Sequence, residues 1–492
     1  MEYEILKKAK ELFGIWNNQI LYCHWKSNEH LFEGLVGETD LDVLVSESYK
    51  QKANHALKIC GFVQCKPQIG SYYKDVEDWI GLDDTTGKLI HIHLHYKIIT
   101  GHIGMKEFTL PWETEILENR LIDKKTGVYI ANPNHELVIL YIRTVLKLKW
   151  KEMYLIKKGR YCLPEDIRRE INYLFDKVNY EKLRGIFKNW FGDTGTLLAD
   201  LIIENSYSNS NIYKFYKILK SHEIFKSGLI NELKRVYFYL LINVRYKARV
   251  HMKILLRIRK SPVMPGISIA FIGQDGSGKS SVTQDILKWL SWKIDSEHFY
   301  LGSGDHYNTV LKKVAEMLVS KRQKNPVLFF PSKFVSMLFQ LSISKNALKT
   351  LKKAENYRKH GGICLFDRYP QNQFCGIYDG PRICTLKNGN GRFLNLIIKK
   401  FARLEKHYFK QIQKYPPALV FKLILSAEES YRRKPDHDKN DILKKEKITQ
   451  ELIFKDSYVI NINANQSYND ELVNIKNIIW RYIVEKNREF NI

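Results

Sequence analysis

The sequence predicts an α/β protein in which an N-terminal mixed α/β domain and a helical middle region precede a C-terminal domain built on a parallel five-stranded sheet. Three observations carry this reading. A glycine-rich loop at 273–280 separates an apolar strand from an amphipathic helix, four further apolar runs of strand length follow it, and between 133 and 249 the apolar residues recur with a helical period. A chain of 492 residues exceeds what one core usually serves, and the expected domains are 1–130, 131–262 and 263–492.

In the first domain the apolar run Leu41 to Val45 reads as a strand, Tyr49 to Cys60 as a helix, and the alternating segment Leu89 to Tyr96 as a second strand. Asp40 and Asp42 are two apart on the first strand, so both carboxylates face one side and can share a divalent metal. His91, His93 and His95 share a face of the second strand. They read either as ligands for metal or phosphate or as the solvated face of an antiparallel strand.

The middle region reads as long helices, HELVILYIRTVLKL and then EDIRREINYLFDKV, with a polar turn at Ser206 to Asn211. Arg245 to Gly266 reads as a basic helix ending in a Pro and Gly cluster, either solvated between domains or lying on anionic lipid or nucleic acid.

The last domain opens with the strand Ile267 to Ile272. Gly273, Gln274, Asp275, Gly276, Ser277, Gly278, Lys279, Ser280 and Ser281 follow, and then Val282, Ile286, Trp289 and Leu290 fall at helical spacing. This is the order a phosphate cradle requires. Glycines let backbone N–H groups turn toward an anion, the helix N-terminus adds its dipole, Lys279 reaches the outer phosphates and the Ser280 hydroxyl can ligate magnesium. The further strands are HFYLG ending at Gly302, Ile363 to Asp367, Ala418 to Leu425 and Tyr458 to Ile462. Asp367, Arg368 and Tyr369 leave one of them at its C-terminal end, the edge that carries the loop. There a carboxylate can orient the acceptor or hold magnesium, and an arginine can clamp a phosphate.

GQDGSGKS, with GGICLFDRY about ninety residues on and LILSAEESYRRKPD beyond it, resembles the thymidylate kinase family over roughly Pro265 to Glu485. The resemblance implies that Lys279 and Ser280 serve ATP and Mg2+, Arg368 the acceptor phosphate, and Arg432 or Arg433 the transferring group. The pattern also departs from the family. Ile272 stands in place of a glutamate, HFYLGSGDHY replaces an R-E-P-G segment, and no S-x-x-A-Y-Q motif follows Asp367. The acceptor is therefore left open among nucleotides, sugars and sugar phosphates, with Ser303, Asp305, Asp379 and Arg382 as candidate contacts.

HWKSNEHLFEGLVGETDLDVLV resembles the nucleotidyltransferase superfamily, in which a Gly-Ser turn precedes a D-x-D strand by about a dozen residues. Lys26 and Ser27 stand at that offset without the glycine. The resemblance implies a third carboxylate on a neighbouring strand, for which Asp83 and Asp84 in the turn before the histidines are the candidates.

The net charge of +26 favours phosphate-rich partners without choosing among them. Seven scattered cysteines without a C-x-x-C pair read as free thiols, and neither a long apolar run nor a leader pattern is seen, so a cytoplasmic location is expected. The favoured reading is an ATP- and magnesium-dependent kinase, with a homodimer as one admissible assembly. Nucleotidyl transfer at Asp40 and Asp42, and an ATP-gated regulator that binds nucleic acid, are the alternatives.

Overall fold

The computed structural model describes residues 4–67, 72–102, 104–205, 207–226, 228–302, 309–322, 325–386, 392–433, 435 and 439–490. The chain divides into two compact units, unit 1 comprising residues 1–260 with 483–492 and unit 2 comprising residues 261–482. No described helix is long and apolar enough to cross a membrane.

Unit 1 is built on a mixed sheet. Its strands are β1 (Tyr22–His24), β2 (Asp40–Val45), β3 (Val63–Lys66), β4 (Val76–Leu82), β5 (Leu89–His95), the hairpin β6 (Ile98–Thr100) and β7 (Phe108–Leu110), β8 (Leu121–Ile122) and β9 (Tyr129–Ile130). The sheet runs in the order β3-β4-β5-β2-β1-β9-β8, with β6 and β7 paired separately. The period-two alternation of β2 sends Leu41, Val43 and Val45 into a core shared with the helices Lys7–Gln19 and Lys50–Ile59. Asp40, Asp42 and Leu44 are thereby turned to the other face.

That second face is covered by helices, including Pro133–Leu146, Glu165–Phe175, Tyr180–Phe191 and Asn209–Ser221. The first of these starts where the sequence provides for it, with Pro133 in the first turn and the Asn132 side chain accepting from the Asn134 N–H. One core joins Cys23, Trp25 and Leu44 to Leu140, Leu174, Phe187 and Phe215 of these helices. Trp112 stacks flat on Trp190 with ring centroids 3.9 Å apart. The helix expected over Arg245 to Gly266 is realised only at its start. Leu229–Val250 ends the helical run, and Lys253 takes a φ of 52°, which an α-helix cannot continue through.

Unit 2 follows the short β10 (Ser261–Pro262) with β11 (Ser268–Gly273), β12 (Ser296–His298), β13 (Ile363–Phe366), β14 (Leu419–Ile424) and β15 (Tyr458–Asn463). β11 to β15 form a five-stranded sheet in the order β12-β13-β11-β14-β15, parallel throughout. β11 is buried along its whole length, as a strand covered on both faces must be, and Phe271 stacks on Phe421 of β14 at 5.3 Å. Two strands differ from the sequence reading. β12 precedes most of HFYLG, and β15 is largely exposed because it is an edge strand.

Glu471, in the first turn of the helix Tyr468–Phe490, is buried, and its Oε1 has no hydrogen-bond partner. Burial pushes its carboxyl from 4.5 up to about 7, against the opposing charge of Arg433. Between these values the folded chain binds the proton more tightly than the unfolded chain. This group's contribution is therefore fully present below pH 4.5 and is lost as pH rises to 7. Glu471→Gln is expected to match the parent in urea unfolding at pH 4.5 and to exceed its stability by about 2–3 kcal/mol at pH 8. An equal gap at both pH values would contradict this.

Candidate functional site

Parallel strands bring the ends of β11, β13 and β14 to one edge of the unit 2 sheet, and the glycine-rich loop turns there. Gly276 and Gly278 have φ of 83° and 84°, a backbone that glycine alone adopts without strain. A Cβ on Gly273 would lie 2.5 Å from Ser277 Oγ and 2.8 Å from the Leu423 carbonyl. The Gln274 Nε2 donates to the Leu425 carbonyl at 2.8 Å, tying the loop to the end of β14.

Gly278 caps the helix Lys279–Leu290, so the loop ends on a helix N-terminus. The Lys279 Nζ donates to the Gln274 carbonyl at 2.8 Å, while Ser277 Oγ is buried without a hydrogen-bond partner. Ser280 and Ser281 follow in the first turn with exposed side chains. Asp275 pairs with Lys445 Nζ at 2.5 Å, and its carbonyl accepts from Ser430 Oγ at 2.8 Å.

Asp367 follows β13, buried, with Oδ1 lacking a hydrogen bond and lying 3.4 Å from His298 Nε2. Arg368 lies 3.6 Å from Asp379 and over the ring of Tyr300 at 5.3 Å. A cleft of about 480 Å³ is lined by Gly273, Asp275, Lys279, Arg368, Tyr378, Asp379, Arg382 and Lys445, among others. Burial raises the Asp379 carboxyl above its ordinary range, against the pull of Arg368 and Arg382. Ser303 and Asp305 lie outside the described residues.

Arg432 and Arg433 are placed differently. On the helix Ala427–Arg433 both pair with Glu429 at 2.7 Å, but Arg433 Nη1 also donates to the Gly276 carbonyl at 3.2 Å, whereas Arg432 points to solvent. Beside them a second groove is lined by Ser426, Arg432, Arg433, Asn465 and Ser467.

Sequence reasoning named Asp379 and Arg382 but missed Lys445, and it did not anticipate the shape of the loop that carries Tyr378 and Asp379. Both of those residues have positive φ, 49° and 54°, and the Tyr378 hydroxyl bonds to Thr449 Oγ1 at 2.6 Å and donates to the Lys445 carbonyl at 2.9 Å. Cys375 and Cys384 are joined in a disulfide that closes this loop, which corrects the free-thiol expectation for that pair; Cys23, Cys60, Cys65, Cys162 and Cys364 are free. Spacing gave no warning, because a separation of nine residues marks no known ligand pattern.

In unit 1, β2 and β5 pair in parallel with Asp40 opposite His91 and Asp42 opposite His93, while β4 sets Asp78 opposite His93. His91 Nδ1 lies 2.8 Å from Asp40 and its Nε2 3.2 Å from Asp78. His95 Nε2 lies 3.2 Å from Asp42, which also pairs with Lys26 at 2.9 Å. His91 and His95 are buried, so this face is closed by the helical layer and is not the solvated face of a strand. Asp83 is engaged elsewhere, accepting from the Lys8 N–H and from Thr85 and Thr86 to organise a turn, and Asp84 is exposed. The carboxylate on a neighbouring strand is Asp78. Its signal was a charged residue in phase with Val76, Ile80 and Leu82.

Burial holds His95 down to about 4, and burial together with His91 lowers His93, so both rings are neutral at pH 7, the form that binds metal. Burial opposes ionisation of Asp42, but Lys26 and His95 keep its carboxyl well below the usual range. Lys106 stands near enough to Lys26 and Arg143 to be repelled by them. Burial first, and those charges second, push the Lys106 ammonium down to about 8. Ser27 takes a φ of 55°, the conformation a glycine would adopt, so the turn survives without one.

No protein-family model matches the chain. It is 27% identical over 225 residues to the uncharacterized ATP-binding protein YghR of Escherichia coli, a match covering 42% of this chain and 84% of that protein. With the uncharacterized ATP-binding protein YghS of the same organism it shares 26% identity over 212 residues, 40% of this chain and 85% of the relative. Among solved structures, deoxyadenosine kinase from M. mycoides with dCMP and dCDP bound aligns over 43% of this chain and 98% of its own length, at 15% identity and a TM-score of 0.29.

Proposed function

We propose that unit 2 is an ATP- and magnesium-dependent phosphotransferase that moves the γ-phosphoryl group to a nucleoside monophosphate or a related small phosphorylated acceptor. The observation that carries this is the shared cleft, where Lys279 of the phosphate loop faces Arg368, Asp379 and Arg382. One wall receives a donor polyphosphate and the other offers two guanidinium groups to an anionic acceptor. The names of the two E. coli relatives, both ATP-binding proteins, point the same way.

The groove beside Arg432 and Arg433 is the proposed seat of the nucleoside end of ATP, since Arg433 reaches the loop carbonyl of Gly276. A phosphate oxygen of the acceptor attacks the γ-phosphorus, the bond to the β,γ-bridging oxygen breaks, and ADP leaves with the electron pair. An ionised phosphate acceptor brings no proton to remove, so what the site must supply is alignment and charge stabilisation. Asp367, with a buried carboxylate oxygen that lacks a hydrogen bond, and Ser280, with an exposed hydroxyl, fit as the residues that would hold magnesium. When bound, the ion would neutralise charge on the donor phosphates.

The test is an ATP-consumption screen of the full chain with nucleoside monophosphates, sugars and sugar phosphates, reading ADP and the phosphorylated product. ADP formation that requires a phosphorylated acceptor supports the assignment; turnover on unphosphorylated sugars alone, or ATP binding without turnover on any acceptor, removes it. Once an acceptor is in hand, Arg368→Ala is expected to raise its KM by about 10- to 100-fold while leaving the KM for ATP within about twofold. A loss confined to the ATP side would contradict the role given to Arg368.

A further inference from the structure

Part of the wall proposed for the acceptor is carried by a loop rather than by the sheet. Tyr378, Asp379 and Arg382 line the cleft, and all three lie between Cys375 and Cys384, the cysteines joined in a disulfide. Both of these cysteines are exposed, whereas Cys23, Cys60, Cys65 and Cys364 are buried. A disulfide at the surface is open to exchange with thiols in solution, as a buried one is not.

What the bond encloses is backbone that needs holding. Tyr378 and Asp379 take left-handed φ in succession, 49° and 54°, which residues with a Cβ keep only where their surroundings impose it. Within the loop the Gly376 N–H donates to the Pro381 carbonyl at 2.8 Å and the Gly380 N–H to the Ile377 carbonyl at 3.0 Å. The Gln371 Nε2 donates to the Phe374 and Ile377 carbonyls, both at 2.7 Å, and the buried Glu405 accepts from the Arg382 and Ile383 N–H groups at 3.1 and 2.9 Å. These hydrogen bonds shape the loop, while the covalent link limits how far Asp379 and Arg382 can move from Arg368 and Lys279 when they open. Cutting the link returns conformational freedom to the segment. Ser426, Arg432, Arg433, Asn465 and Ser467 of the groove assigned to ATP lie outside this loop.

We propose that Cys375 and Cys384 form a redox switch on acceptor binding: the disulfide holds Asp379 and Arg382 in place, and the dithiol releases them while the ATP side is unchanged. This inference rests on the acceptor role given above to that wall. The oxidant is a low-molecular-weight disulfide of the glutathione type. One cysteine thiolate attacks a sulfur of that disulfide and expels a thiolate, and the second cysteine attacks the mixed disulfide and expels the other. One S–S bond forms in the protein as one breaks in the reagent. The two protein thiols are oxidised, the reagent is reduced to two thiols, and the cysteine protons pass to the expelled thiolates. In a reducing compartment, where lasting disulfides are rare, such a pair reports oxidation.

The test uses the full chain carrying Cys162→Ser, which removes the other exposed thiol, equilibrated with oxidised or with reduced glutathione. Native alkylation should label neither Cys375 nor Cys384 in the first sample and both in the second. Hydrogen exchange of the amides between them should be about 10-fold faster after reduction. With a phosphorylated acceptor, reduction should raise its KM by about 10-fold and leave the KM for ATP within about twofold, as a loop competent about a tenth of the time requires. Cys375→Ser combined with Cys384→Ser should show the raised acceptor KM in both buffers. A pair that does not interconvert, a loop that exchanges equally in both forms, or an acceptor KM indifferent to reduction and to the double variant would overturn the switch. Absence of turnover on any acceptor in either buffer would remove the phosphotransfer reading and the acceptor role with it, while alkylation and exchange would still decide whether the pair controls the loop.

Discussion

Lys279→Ala is expected to lower acceptor-dependent ADP formation by on the order of a thousandfold, about 4 kcal/mol of transition-state stabilisation. The lysine leaves a helix N-terminus whose preceding glycines turn the loop, and its ammonium rests on the Gln274 carbonyl at 2.8 Å, beside the cleft. A bound polyphosphate offers a stronger partner than a carbonyl, and charge on the transferring group is what a fixed ammonium stabilises most. The variant loses one loop hydrogen bond, a cost of about 1 kcal/mol, so its melting temperature should move little. Rapid-quench measurement of ADP, with ATP affinity measured separately, checks the prediction. A variant retaining more than about a tenth of the parent rate would show that Lys279 does not stabilise the transfer.

The loop was legible in the sequence because its conformation is encoded locally. Gly276 and Gly278 occupy positive φ, and the strand before and helix after them carry their own periodicities. Asp367 and Arg368 were legible for a related reason, since a strand end in a parallel sheet fixes their place at the loop edge. The partners that complete the cleft were not. Lys445 meets Asp275 across 170 residues, and the Tyr378 hydroxyl finds Thr449 across 71, pairings that exist only once the helix Lys439–Glu451 has docked. In unit 1 the D-x-D spacing was readable, but strand register alone decides that β2 neighbours β5 and that Asp78, not Asp83, enters the histidine face. The missing glycine of the Lys26-Ser27 turn is a further example. Tertiary bonds from the middle helices hold Ser27 in the left-handed region, information that lies more than a hundred residues away.

Those bonds make Glu170→Ala the second large effect, an expected loss of about 3–5 kcal/mol in the stability of unit 1. Glu170 is buried, accepts from Arg143 Nη2 at 2.6 and 2.7 Å with its two oxygens, and takes the Ser27 N–H at 3.1 Å. Arg143 in turn reaches Ser27 Oγ at 3.3 Å. Removing the carboxylate leaves a mostly buried guanidinium uncompensated and frees a turn whose left-handed Ser27 costs energy to maintain. The next residue is held by a second carboxylate, Glu136, which accepts from the Asn28 N–H and side chain at 2.9 and 2.7 Å, so the turn should loosen without unravelling. Urea unfolding of the single variants and of Glu170→Ala with Arg143→Ala measures the pair. The double variant should lose less than the sum of the singles, because Arg143 without Glu170 is itself destabilising. Additive losses would mean that the two side chains act independently and that Ser27 is positioned by Glu136 and the sheet alone.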